Sequence, residues 1–226
     1  MTAKLLLVLV SVGLTSACVN LVNIDARDNV EFGNFEASVP LGDDPTKRLR
    51  VRGSSANGNF VQTLDPDERI QVDETSIGGP TDVDGEVDLA YYSIAFGSDR
   101  DPSAVLAGES WQTYYLGVAQ TEFDLRLAND GQVSMISDGS TELYLQYGLR
   151  YAVSEDLLFG FDWAFSFGRE FSGISEIDLL LDYRLVRRVY LSGGYRWFNY
   201  IYADEDGDSS LEVDFRGPSI GLRLAL

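Results

Sequence analysis

The stretch Leu157-Leu158-Phe159-Gly160-Phe161-Asp162-Trp163-Ala164-Phe165-Ser166-Phe167-Gly168 decides the fold. Its odd positions are all large and apolar, while its even positions after Leu158 are Gly, Asp, Ala, Ser and Gly. Side chains on a strand point to opposite faces in turn, so this is a ribbon with one greasy face and one small or polar face. The pattern repeats in Ile177, Leu179, Leu181, Tyr183 and Leu185, with Asp178, Leu180, Asp182 and Arg184 between them. From Thr141 to Leu226 five such segments follow one another across tight turns, which reads as an antiparallel meander.

Working back toward the N-terminus, Glu109–Leu127, Glu86–Gly97 and Arg48–Gly53 add three more strands. Two of these change phase along their length. Val87, Leu89 and Tyr91 share one parity and Ile94 and Phe96 the other; Tyr114, Leu116 and Val118 oppose Phe123, Leu125 and Leu127. Bulges near Tyr92-Ser93 and Gln120 would reconcile them. Residues 19–47 show no sustained period, and Asn29 to Val39 reads as a short strand or spacer. Polar connections are expected at Ser54–Gly85, Ala128–Ser140 and Asp204–Ser210. The expected architecture is all-β, a closed antiparallel up-and-down transmembrane barrel of eight strands, an even count as single-chain bacterial barrels have. Residues 18–47 are set apart as an N-terminal extension and 48–226 as the barrel.

Residues 1–17 read as a secretory signal: Lys4, a short apolar run from Leu5 to Leu14, then Thr15-Ser16-Ala17. Cys18, the single cysteine, follows that cleavage site and is the candidate for lipidation, the stretch resembling a bacterial lipobox; cleavage after Ala17 with Cys18 incidental is the alternative. Either way the chain is expected to be exported. With 36 acidic against 17 basic residues, the chain repels nucleic-acid phosphates, so no nucleic-acid partner is expected. There is no histidine, which removes Ser-His-Asp and Cys-His chemistry. The expectation is a protein that is not an enzyme and carries no cofactor, with a carboxylate-pair hydrolase as the weakest rival.

The C-terminal segment, Phe215-Arg216-Gly217-Pro218-Ser219-Ile220-Gly221-Leu222-Arg223-Leu224-Ala225-Leu226, ends with Ile220, Leu222, Leu224 and Leu226 on one face. It resembles the last strand of small bacterial outer-membrane β-barrel proteins, where alternating apolar residues are usually closed by an aromatic; here Leu226 stands in that place. The resemblance implies a bacterial outer-membrane location, outer-membrane lipid around the barrel, and the barrel-assembly machinery as a partner. The histidine-dependent enzymes among such barrels, a phospholipase, a protease, a palmitoyltransferase and a lipid A deacylase, find no counterpart here. The parity change between Phe215 and Ile220 suggests a bulge at Gly217-Pro218.

Parity assigns an interior ion-pair network. Its bases are Arg50, Arg52, Arg150, Arg184, Arg196, Arg216 and Arg223; its acids are Asp88, Glu142, Asp162, Glu176, Asp178, Asp182 and Asp214. Tyr147, Tyr151, Trp163, Tyr195 and Trp197 fall on the outward face, as aromatic residues at a membrane interface do. The D-x-D-G runs at Asp82-Val83-Asp84-Gly85 and Asp204-Glu205-Asp206-Gly207-Asp208 are candidate Ca²⁺ ligands or solvated acidic turns. Alternation names two faces without saying which is inside. The leading expectation is therefore a structural or surface-interaction barrel with acidic external loops. The alternative is a periplasmic lipocalin-like lipoprotein that binds an apolar ligand inside its barrel.

Overall fold

The computed structural model describes residues 20–26, 30–72, 75–168, 173–203 and 209–226. Residues 1–17, with the expected signal, and Cys18 lie outside them. The described chain is all β but for one 3₁₀ turn at Pro102–Ala104. In chain order the strands are β1 (Asn20–Ala26), β2 (Glu31–Leu41), β3 (Asp44–Leu64), β4 (Arg69–Val72), β5 (Thr75–Gly78), β6 (Thr81–Ser98), β7 (Ser110–Asn129), β8 (Gln132–Ala152), β9 (Leu157–Phe167), β10 (Gly173–Val186), β11 (Val189–Ala203) and β12 (Ser209–Ala225).

The barrel order is β2-β3-β6-β7-β8-β9-β10-β11-β12, and β12 pairs back onto β2 to close it. Nine strands close the barrel, and the closing pair is parallel. The expected eight antiparallel strands are all present, but the segment set aside as an extension supplies the ninth. Its own alternation is legible: Asn34, Glu36 and Ser38 against Gly33, Phe35, Ala37 and Val39. β1 continues this strand upward, pairing in parallel with the first part of β12. Both pairings run parallel because β1, β2 and β12 all descend from the same end of the barrel.

The three expected bulges are absent. β6 and β7 pair without a break from Asp84–Ala128 to Ser98–Tyr114, and β11 and β12 from Val189–Leu224 to Ala203–Ser210. What changes is the chemistry of each face. In the lower part of β6 the outward residues are Tyr92, Ile94 and Phe96; higher up they are Asp82, Asp84, Glu86 and Asp88, on the same face. Inside, Ser93 and Ala95 give way to Tyr91, Leu89, Val87 and Val83. β7 and β12 do the same, with Phe123, Leu125 and Leu127 inside the first and Leu211, Val213 and Phe215 inside the second.

Strand tilt explains where the change falls. One ladder row runs Val39–Leu49–Phe96–Leu116–Leu145–Phe165–Ser175–Asn199–Asp214 and returns to the N-terminal strand at Asp25. It leaves that strand at residue 39 and regains it 39 − 25 = 14 residues higher. The strands therefore slant steeply, as closure demands. The row is apolar while low and polar once it has climbed past β9. The apolar exterior is accordingly a level belt around the lower part of a tall barrel.

Two expected loops are strand. Ser54–Gly85 extends β3 and β6 upward and carries the β4–β5 hairpin at its tip, whose paired Ile70 and Ile77 are buried against the upper core. Ala128–Ser140 belongs to β7 and β8, joined by a two-residue turn at Asp130 (φ 45°) and Gly131 (φ 83°). Left-handed φ at both positions is what a tight hairpin turn requires. Pro218, which has no N–H, falls between the parts of β12 paired to β1 and to β2.

Candidate functional site: a charged core inside the belt

The interior has three layers. At the top is an apolar cluster in which Phe198 meets Tyr91 and Phe215 edge-on at centroid separations of 6.4 and 6.0 Å, and Phe123 lies 4.6 Å from Tyr200. Each such side chain contributes about 1.5–3 kcal/mol on burial, so this tier has a core of its own. At the bottom a small cluster of Val105, Trp111, Leu158 and Tyr190 closes the rim. Between them, behind the apolar belt, lies the charged layer.

Six arginines are buried there: Arg48, Arg50, Arg52, Arg150, Arg196 and Arg223. Arg52 reaches across the barrel and places Nη2 2.5 Å from Glu176 and 2.6 Å from Asp178, both on β10. Arg196 grips Asp178 with a fork, Nε–Oδ1 2.6 Å and Nη2–Oδ2 2.8 Å. Arg150 and Asp162 form a second fork at 2.6 and 2.8 Å. Arg223 joins Asp182 at 2.9 Å, Asp99 at 3.0 Å and Glu36 at 3.2 Å. The guanidinium plane suits these two-oxygen contacts, which a lysine could not match.

Arg50 is held differently. It donates to the hydroxyl of Tyr144 (2.8 Å) and to Gln146, and its guanidinium lies 3.8 Å above the Tyr115 ring. Tyr144 marks the boundary of two layers, its ring in the apolar cluster and its hydroxyl on Arg50. Glu142 is buried with no arginine among its described partners; Thr121, Ser140 and Ser166 donate hydroxyls to it instead. Glycine makes room for the forks. A Cβ on Gly148 would sit 2.3 Å from an Asp162 carboxylate oxygen and 2.4 Å from the Thr113 hydroxyl. A void of about 30 Å³ lined by Glu36, Arg52, Arg150, Asp162, Arg196 and Arg223 has room for water, not for a channel.

Of the network residues read from parity, Arg50, Arg52, Arg150, Asp162, Glu176, Asp178, Asp182, Arg196 and Arg223 lie in this layer, and Glu142 lies at its upper edge. Four residues do not belong to it. Arg184 sits at the lower rim, pairing with exposed Asp156 at 2.8 Å. Asp88 is exposed outside, and Asp214 and Arg216 take the outward face of β12. Their parity was counted through bulges that the strands lack, or, for Arg184, past the end of the enclosed layer. Three further members, Arg48 and Asp99 buried and Glu36 partly buried, escaped the sequence reading. Arg48 has the phase of Arg50 and Arg52 and is the first residue of the expected strand Arg48–Gly53. Glu36 lay in the supposed extension. Asp99, just past the end of the expected strand Glu86–Gly97, accepts from Trp111 Nε1 at 2.8 Å and from the Tyr115 hydroxyl at 3.1 Å.

The acidic motifs resolve differently. Asp82 and Asp84 stand on the outer face of β6, a strand where a loop was expected, and Asp82 accepts from the Thr63 hydroxyl at 2.6 Å. Asp204, Asp206 and Asp208 lie outside the described residues. No group of three or more His, Cys, Asp or Glu side chains among the described residues could hold a metal ion. At the lower rim, beyond the belt, the Thr46 hydroxyl and amide donate to Asp44 and hold its carboxyl below the usual range. No protein-family model, curated protein or solved structure matches the chain.

Proposed function

We propose that the chain is a bacterial outer-membrane β-barrel whose interior is sealed by ion pairs and whose tall upper tier stands outside the membrane as an acidic surface for structural or adhesive contact. The observation that carries this reading is the inversion of both faces at one height. Below it the exterior is apolar and the interior charged; above it the exterior is mostly polar, with Asp82, Asp84, Glu86 and Asp88 on β6 and Val61, Val133 and Met135 as apolar exceptions, and the interior is mostly apolar. A barrel surrounded by water throughout has no reason to invert. A barrel that leaves hydrocarbon at that level must.

The belt has the right size. Ile177 to Leu185 on β10 cover eight steps, about 26 Å along a strand and about 20 Å in height after tilt, near the apolar band of outer-membrane barrels. Outward Tyr147, Trp163 and Trp197 occupy one ladder row that climbs toward the upper edge of the belt, where amphipathic rings are favoured. The apolar-ligand alternative needs a hollow greasy interior, and here the apolar layer is filled by its own aromatic side chains.

The three tryptophans give the test, because Trp163 and Trp197 face outward and Trp111 is buried inside. In vesicles of brominated phosphatidylcholine, fluorescence of the folded protein is expected to fall by about half or more. The Trp163→Phe/Trp197→Phe protein should lose that quenching. Equal emission in brominated and ordinary lipid, or no heat-modifiable folded band on SDS gels, would refute the membrane reading.

A further inference from the structure

The barrel wall has one seam unlike the others. Every neighbouring pair in it is antiparallel except where β12 meets the N-terminal strands: Ser219–Ala225 run parallel to Phe32–Ser38 of β2, and above them Ser209–Phe215 run parallel to Asn20–Ala26 of β1. Parallel pairing is slightly the weaker kind. This seam also joins residues 219 − 32 = 187 apart in sequence, so chain entropy opposes it most.

The charged layer divides along the same line. Arg52 with Glu176 and Asp178, Arg196 with Asp178, Arg150 with Asp162, and Arg223 with Asp182 and Asp99 all connect β3 and β6–β12 without β2. A second set of contacts, apart from Arg50 with Tyr144 and Gln146 on β8, holds β2. Its three inward polar residues are each tied sideways. Ser54 donates to Asn34 at 3.1 Å. Glu36 lies 3.7 Å from Arg50 on β3 and 3.2 Å from Arg223 on β12. Arg48 donates to the Ser38 hydroxyl at 3.2 Å, the Ser38 carbonyl at 3.1 Å and the Leu226 carbonyl at 2.9 Å. Arg48 is 2 % exposed, and all three of these partners lie on β2 or at the end of β12.

We propose that β2 is a latch strand: it opens and recloses as a unit against an eight-stranded antiparallel sheet that keeps its own ion pairs, and Arg48 and Glu36 are the bolts that hold it from inside. Release of β2 costs the Arg48 and Glu36 contacts and the two flanking ladders, and leaves the β3–β10 and β8–β9 charge pairs whole. The inference rests on pairing and side-chain contacts, and does not depend on what solvent surrounds the belt.

Hydrogen exchange on the full chain, folded in detergent micelles and read by mass spectrometry, tests it. In the unmodified protein the amides of Phe32–Ser38 are expected to exchange about tenfold faster than those of Leu143–Tyr151 on β8, as a lower-energy opening demands. Arg48→Ala and Glu36→Gln should each speed β2 exchange several-fold further and leave β8 unchanged. Equal protection of β2 and β8 in the unmodified protein overturns the proposal whether or not either variant folds. Variants that speed both strands alike overturn it too, since that is global loosening and not a released latch.

Discussion

Two buried carboxylates separate what a charge does here from what its burial costs. Asp178 is held by two guanidiniums, Arg52 and Arg196, at 2.6–2.8 Å. Removing its charge leaves the two buried cations with Glu176 as their one shared carboxylate, at 2.5 and 2.9 Å, and breaking a buried pair from one side typically costs about 3–5 kcal/mol. Asp178→Asn is therefore expected to lower unfolding free energy by about that much in urea titrations of the detergent-folded protein. Among the described residues Glu142 accepts from hydroxyls, which turn to suit an amide as readily as a carboxylate. Glu142→Gln should change stability by less than about 1 kcal/mol. If the two substitutions cost the same, the arginine forks do not organise this layer. The same residue-level logic shows why parity found most of the layer. A charge pointing inward on a regular strand keeps its phase, so Arg150, Asp162, Asp178 and Arg196 were legible; Asp99 was not, because its inward position depends on where β6 ends.

At the level of strands, every barrel strand from Arg48 onward is legible in the sequence, but not its length, nor the β4–β5 hairpin. The clean alternation of β9 and β10 comes from strands that lie almost wholly within the belt. β6, β7 and β12 cross its upper edge, where the apolar face changes sides. A period-2 reading cannot distinguish that crossing from a one-residue slip, since both reverse the parity of the apolar set. The register does not change; on the proposed reading the surrounding solvent does. The Asp130-Gly131 pair was legible as a turn signal but was absorbed into a longer polar stretch. Because Gly131 has φ 83° and a Cβ there would meet nothing, the only penalty of a side chain is conformational. Gly131→Val is expected to cost about 1–2 kcal/mol, confined to the upper β7–β8 hairpin, with the belt and charged layer intact. Proteolysis confined to that hairpin would show it; loss of the heat-modifiable folded band would mean the turn governs the whole barrel.

The whole molecule has a polarity that the two faces alone do not fix. Its lower rim carries the two-residue turns Gly42-Asp43 and Arg187-Arg188, the short Val153–Asp156 connection and one longer connection, residues 99–109, and both β2 and β12 descend to it. Its upper end carries β3, β6, β7 and β8, which run well past the belt, and the β4–β5 hairpin. Outer-membrane barrels keep short turns on the periplasmic side and longer structures outside. On the proposed reading the upper tier, with Asp82, Asp84, Glu86 and Asp88 on its outer wall, therefore faces the medium. An epitope inserted after Asp67, in the exposed turn before β4, should be bound by antibody on intact bacteria. The same epitope after Glu155, in the exposed β8–β9 turn, should be bound only once the outer membrane is permeabilised. The reverse pattern would turn the barrel over and place its acidic tier in the periplasm. Binding of both epitopes on intact cells would mean that no membrane separates the two rims, and the inversion of the faces would then need a cause other than lipid.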